Sequence, residues 1–267
     1  TTSQIAALSV TNLSALDATQ VGALTTTQTK ALTATQLTGL DAADVAEFST
    51  THISNFANTQ LLALTSTNMA ALSETQIAAI SAPGVKALTA TNFAAFAETQ
   101  LGALTTTQVS SLTNTQLQAL NSTKFASFTA TQLGALTTSQ VSGISTTNRS
   151  ALDATQFDAF RTTQLQTLTT TQLNGLSTTD ISELTTTQIG LLTTAQVRGL
   201  STTSIGALSD TQVLALTTTQ LAAFSNTNLS ALDSTQVGQL TTTQVRSLTA
   251  SHITALDATD IAEFTTD

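Results

Sequence analysis

The residues able to bind a metal or move a proton are few. Asp44 and Glu47 stand three apart, as do Asp260 and Glu263; on a helix each pair shares one face and could offer oxygens to Ca²⁺. A calcium site takes about six to eight oxygen ligands, usually around a Gly-bearing loop, and the sequence offers neither beside these pairs. They read instead as carboxylates favoured near a helix N-terminus by its dipole. His52 and His252, the two histidines, have no other ligand type beside them and fill a place that most neighbouring units give to Gln, so they read as polar substitutions. Ser and Thr abound, yet no base is placed to activate one, and there is no Gly-rich loop to cradle phosphate. Arg149 is the anomaly, a cation at a place otherwise apolar; it is expected to snorkel outward, the alternative being contact with another chain. No catalytic, cofactor-binding or metal residue is assigned, and the chain does not read as an enzyme.

What positions these residues is a repeat of eight. Counted from Thr1, the chain reads [Ser/Thr/Asp]-x-Thr-[Gln/Asn]-Φ-x-[Ala/Gly/Ser]-[Leu/Phe], with Φ aliphatic or Phe. The eighth place is Leu, Ile or Phe in all 33 complete octads, and the fifth is apolar in 31, Thr29 and Arg149 being the exceptions. No insertion breaks the count, so each octad is one structural unit whose length is fixed by its neighbours. The whole of 1–267 is read as a single repeat array.

Composition narrows the function classes. Charged residues make up 9% of the chain and hydrophobic ones 40%, so its polarity comes from neutral Thr, Ser, Gln and Asn. A net charge of −9 with seven scattered Lys and Arg leaves nothing to neutralise phosphates, which excludes nucleic acid and a basic membrane-surface helix. No apolar run approaches the ~18 residues of a membrane span. Without Cys, neither disulfides nor thiolate sites hold the fold. The chain begins and ends within the octad register, which reads as a piece of something longer.

Three backbones compete for the octad. A continuous α-helix advances about 100° per residue, so eight residues would rotate the apolar pair by roughly 80° per repeat and the stripe would face no single partner. In a β-strand an even period keeps each place on one face, but places five and eight then fall on opposite sides, and 11 Gly and one Pro supply too few turns for 33 octads. A short helix restarted in every octad gives each place a role. Ser9, Asp17, Thr25 and Thr33 are N-cap residues; Gln20, Gln28 and Gln36, three after a cap, complete a capping box, while the preceding Leu and the residue at place five form a hydrophobic staple. Small residues at place seven, such as Ala7, Ala15 and Gly39, suit close approach between segments. The expected fold is all-α, an α-solenoid of 33 eight-residue repeats, with places five and eight inward and Thr and Gln outward.

Two irregularities carry expectations of their own. In octad 81–88 Pro83 lies in the first helical turn, where a missing N–H costs little, and Gly84 replaces the capping Gln, so a weak point or altered twist is expected there. Phe93, Phe125 and Phe157, with Phe96, Phe128 and Phe160, recur every 32 residues; as a structural spacing, that would make four octads one coil. A longer echo at residues 9–48, 145–184 and 225–264 reads as duplication of multi-octad blocks.

Stretches such as Ala63-Leu64-Thr65-Ser66-Thr67 and Gly102-Ala103-Leu104-Thr105-Thr106-Thr107-Gln108 resemble the Thr/Gln-rich repeat regions of very large bacterial secreted or cell-surface proteins of the adhesin type. That resemblance implies an extracellular or cell-surface location and a stalk, spacer or fibre role, and it assigns no functional residues. The expected function is a structural one, an extended extracellular solenoid acting as spacer or filament subunit. Neither terminal octad carries a polar capping surface, so self-association head to tail through the terminal repeats is expected. The alternative is a β-solenoid binding module, in which Thr25/Thr27, Thr33/Thr35, Thr105/Thr107 and Thr113/Thr115 would stack into arrays resembling ice-binding or adhesive surfaces.

Overall fold

The computed structural model describes residues 1–263, the side chains of Asp260 and Glu263 excepted. Each octad carries one α-helix of four to six residues, as at Thr2–Ala7, Thr26–Thr29, Asn58–Ala63, Thr106–Ser111 and Thr242–Arg246. Among the described residues there is no strand, which overturns the β-solenoid alternative and its Thr-x-Thr arrays. The reason is local: the place-one Thr that would begin such an array caps a helix instead. Thr105 Oγ1 accepts from Gln108 N at 3.2 Å, and Thr105 N donates to Gln108 Oε1 at 2.7 Å. Two of the four orphan donors at the helix start are thereby satisfied, for roughly 1 kcal/mol per cap.

The helix Thr106–Ser111 ends at Leu112, which is extended (φ −57°, ψ 147°), and the next cap, Thr113, is extended too (φ −84°, ψ 154°). Two extended residues re-aim the chain, and among the described residues no φ is positive. That is why an array with so little Gly and Pro can turn every eight residues. Ala57, Ala97 and Arg161 offer no cap oxygen; there only the Gln half of the box remains, with Gln60, Gln100 and Gln164 accepting from the cap N–H.

Helices this short are unstable alone, so stability comes from winding. Places five and eight point inward as expected, burying among others Phe93, Phe96, Val109, Leu112, Ile205 and Leu208. Helices three octads apart pack together, Ala82–Ala87 on Thr106–Ser111 for example. Side-chain bonds between successive coils span 25 residues (Asn114 to Ser139; Asn174 to Gly199), 28 (Gln36 to Leu8; Gln196 to Leu168) and 31 (Gln36 to Ile5; Gln196 to Leu165). The middle value sets the coil at 28/8, or three and a half octads, not the four that the Phe recurrence implied. The Phe pairs are contacts within one octad instead: Phe93–Phe96, Phe125–Phe128 and Phe157–Phe160 meet edge-to-face with ring centroids at 5.4, 5.6 and 5.4 Å.

Place seven is where coils pass closely. A Cβ on Gly175 would lie 2.5 Å from Thr146 Cγ2, twenty-nine residues back, so no side chain fits there without movement. Octad 81–88 keeps a full helix, Ala82–Ala87, with Ser81 capping Gly84 N at 3.1 Å and Pro83 in its first turn. The described chain forms two compact units, Thr1–Gly143 and Ile144–Asp267, and the octad coil recurs in each.

Candidate functional site

The place-four side chain, expected to face outward, faces inward instead. From Gln36 onward the residue at this place is buried in most octads, including Gln60, Gln108, Gln132, Gln196 and Gln244. Gln108 shows why. Its Oε1 closes the capping box, while its Nε2 donates to Ile77 O at 2.8 Å and Ile80 O at 2.6 Å, the carbonyls of places five and eight one coil earlier. The Ile80 carbonyl belongs to the extended corner, beyond reach of any intrahelical donor. One carboxamide therefore caps its own helix and satisfies the corner of the preceding coil, so the buried polar groups of both are paired. Gln132 repeats the geometry on Leu101 O at 3.0 Å and Leu104 O at 2.7 Å, and Gln220 on Ile189 O at 2.9 Å and Leu192 O at 2.8 Å.

Substitutions at place four keep this function in proportion to what they can donate. His52 Nδ1 lies 3.3 Å from Ser49 N and Nε2 2.8 Å from Leu24 O, and His252 sits likewise between Thr249 N and Phe224 O. With the backbone N–H donating to Nδ1 and a carbonyl facing Nε2, the ring must be the Nε2–H tautomer. The imidazole thus copies the carboxamide, and both histidines are polar replacements within the box. Asn68 reaches Leu40 O at 3.1 Å, and Lys124 Nζ donates to Ala94 O without accepting from its own cap. At Asp44, which cannot donate, the bond reverses: Ser14 Oγ donates to Asp44 Oδ2 at 2.6 Å while the same oxygen accepts from Asp41 N. Ser150 and Ser230 precede Asp180 and Asp260 by the same thirty residues, an order that the duplicated blocks preserve. Ser204 is too short for either task, and Asn174 from the preceding coil accepts from Ser201 N at 2.8 Å in its stead. A cavity of about 310 Å³ lies beside Asn174, Ser177, Ser201 and Ser204.

Arg149 does not snorkel. It is 1% exposed, with Nη2 donating to Ile144 O at 3.0 Å and Nη1 to Gln172 O at 3.2 Å, while Nε is buried without a partner. The carbonyl-lined corner holds the guanidinium inside because two of its N–H groups find acceptors there. No carboxylate is among its partners in the described residues, and burial pulls its pKa well below the usual guanidinium value, to about 10, so the cation persists at neutral pH. Thr29, the other polar residue at place five, is buried at lower cost because its hydroxyl donates to Thr25 O at 3.1 Å.

Among the described residues, Asp44 and Glu47 do not come together with a third His, Cys, Asp or Glu around a common point. Asp44 belongs to a capping box, and Glu47 Oε2 is buried with no partner. The side chains of Asp260 and Glu263 lie outside the described ones. Among the described residues no three of His, Cys, Asp and Glu group around a common point, and no helix is long and apolar enough to cross a membrane.

The inward carboxamide had a trace in the sequence. Glu serves a capping box as well as Gln does, yet no octad has Glu at place four; a place that only capped would use both. A carboxylate stands there only as Asp44, Asp180 and Asp260, each thirty residues after a Ser, so donors are strongly favoured at this place. The burial of Arg149 left no comparable trace.

Fold and ladder together define an all-α repeat solenoid whose recurrent polar residue joins coil to coil. A protein-family model described as the ALTTAQ repeat matches residues 157–194, and its name runs from place seven through place four of the next octad, as Ala103-Leu104-Thr105-Thr106-Thr107-Gln108 does here with Thr107 in place of the name's Ala. A comparison with curated proteins returned no match.

Proposed function

We propose that the chain is a structural element, an extended solenoid serving as spacer, scaffold or filament subunit at or beyond a bacterial surface. The observation that carries this reading is the ladder itself. From Gln36 onward the place-four carboxamides mostly donate to the coil before, so the polar chemistry of the octad goes into holding neighbours together, coil after coil. The outward groups are neutral hydroxyls of Thr and Ser at places one to three, a surface suited to solubility without strong fields. The absence of Cys, the scarcity of Lys and the resemblance to Thr/Gln-rich adhesin repeats support placing it outside the cell.

Small-angle scattering on the chain and on forms with whole octads removed tests the reading. The longest dimension should fall in proportion to the octads deleted; a globule whose dimension ignores them would sink it. Antibody labelling of intact, unpermeabilised source cells tests location, and signal only after permeabilisation would count against a surface role.

A further inference from the structure

One rung of the ladder is missing where the rungs on either side are complete. Leu168 O and Leu184 O, the corner carbonyls of octads 161–168 and 177–184, accept from Gln196 Nε2 at 2.8 Å and Gln212 Nε2 at 2.6 Å. Leu176 O stands between them in the chain, and the residue 28 places on is Ser204, whose hydroxyl pairs with Ser201 Oγ at 2.9 Å and Asn174 Oδ1 at 3.4 Å instead. Half of the absent carboxamide's work falls to Asn174, which accepts from Ser201 N at 2.8 Å. The other half is left undone: Leu176 is buried, yet its carbonyl receives no donor among the described residues, a costly state for a backbone acceptor. Leu176 also borders the cavity of about 310 Å³, together with Asn174, Ser177, Thr178, Ser201 and Ser204, and among the described residues no charged side chain lines it. Two other corners show that an unmet carbonyl and open space must coincide. At Gly84 the corner carbonyl, Phe56 O, likewise has no donor among the described residues, but an added Cβ there would lie 2.7 Å from Leu61 Cδ1, so the space is filled. A cleft of about 420 Å³ beside Leu72, Ser73, Ala97 and Gln100 occupies the equivalent place between coils, yet its corner carbonyl, Leu72 O, is taken by Gln100 Nε2.

We infer that the cavity at Ser204 binds an uncharged primary carboxamide, whose NH₂ donates to Leu176 O as a place-four glutamine does at the neighbouring corners. Each property of the ligand follows from the lining. It must donate, because the unmet group is a carbonyl. It must be uncharged, because the lining has no carboxylate to offset the desolvation of an ammonium and no cation to offset that of a carboxylate. It must also accept, because Thr178 and Thr203 add hydroxyls to the lining, which are donors for its own carbonyl. The volume lies at the lower end of ligand pockets, roughly 300 Å³, and suits a small molecule or a single side chain. The group can therefore arrive on a free small amide or on a glutamine of another polypeptide, with the same bond to Leu176 O in either case.

Butanamide titrated into the full chain, with binding followed by saturation transfer to the ligand in NMR, is the first test. Saturable binding is expected with a Kd on the order of 1–10 mM, and butanoate and butylammonium should bind roughly tenfold more weakly or worse. Ser204→Gln supplies the missing rung from within the chain, so binding should vanish while helicity by circular dichroism persists. Ser204→Ala leaves the corner open and should keep binding within roughly threefold, which separates filling of the cavity from loss of a hydroxyl. A crystal of the unaltered chain soaked in butanamide reads the geometry without any variant, and density for the amide is expected against Leu176 O. A glutamine-bearing peptide distinguishes the two sources: displacement of butanamide at a lower concentration than free amide requires assigns the group to another polypeptide, and weaker displacement assigns it to a small molecule. Absence of saturable butanamide binding, equal binding of butanoate or butylammonium, undiminished binding by a helical Ser204→Gln chain, or density only outside the cavity would each overturn the assignment.

Discussion

A single carboxamide in each octad decides more than any other side chain. Gln108→Ala strands Thr105 N–H and the Ile80 carbonyl, both of which it now pairs. At about 1–3 kcal/mol for each buried group left unsatisfied, the variant should lose roughly 2–5 kcal/mol in urea denaturation. Gln20→Ala, which removes a capping bond but no bond between coils, should cost under about 1 kcal/mol. Gln108→His should be the mildest substitution, since His52 already performs both tasks, and Gln108→Glu should be at least as harmful as alanine because a carboxylate cannot donate. Arg149 is the opposite case, a residue whose removal helps. Burial lowers its pKa to about 10, roughly 3 kcal/mol against the charged form, and a well-packed apolar replacement of a buried ion gains about 1–4 kcal/mol. Arg149→Leu should therefore raise the denaturation midpoint. Above about pH 10 the unfolded chain holds a proton at this residue that the folded chain has released, so wild-type stability gains with rising pH there. The advantage of Arg149→Leu should accordingly be full below pH 10 and shrink above it.

At the scale of the helix, the cap is the element that can be improved. Ala57 and Ala97 begin their octads without a side-chain acceptor for the N3 N–H, although their backbone φ and ψ match those of the Ser and Thr caps. Ala57→Ser and Ala97→Ser should each add about 0.5–2 kcal/mol, nearly additively because the sites lie forty residues apart, as measured by thermal melting. These elements were legible in the sequence for a definite reason. Cap, box partner and staple all fall within six successive residues, and such short-range chemistry depends on little beyond the local backbone. Octad 81–88 marks the limit of that reading. Pro83 is accommodated as expected, but what Gly84 forfeits is chiefly the bond to the previous coil, which no local pattern displays.

For the molecule as a whole, what matters is that every octad is interchangeable with its neighbours while half an octad is not. Excising residues 129–136 lets Gln140 find an equivalent corner, the Leu104 carbonyl, 28 residues back in the shortened chain. That deletion should leave the urea midpoint nearly unchanged. Excising residues 129–132 instead brings place-four groups opposite the wrong places of the coil below, and should abolish cooperative unfolding as followed by circular dichroism. A coil of three and a half octads also means that like places do not stack directly above one another; a corner in one coil lies over a helix in the next, which is what brings each carboxamide to a carbonyl that needs it.

By itself the sequence determined the unit: a capped helix restarted every eight residues, with places five and eight turned to the core, because caps, staples and apolar periodicity act between residues already close along the chain. It also recorded, in the predominance of Gln and Asn at place four and the absence of Glu, that this place favours a donor. Only the tertiary structure decided how many octads close a coil, which carbonyls the carboxamides serve, and that Arg149 is held inside rather than extended to water. The first two depend on groups 25 to 31 residues apart and the third on Gln172, 23 residues on; such distances are set by the accumulated turn of several corners, a quantity that no single octad contains.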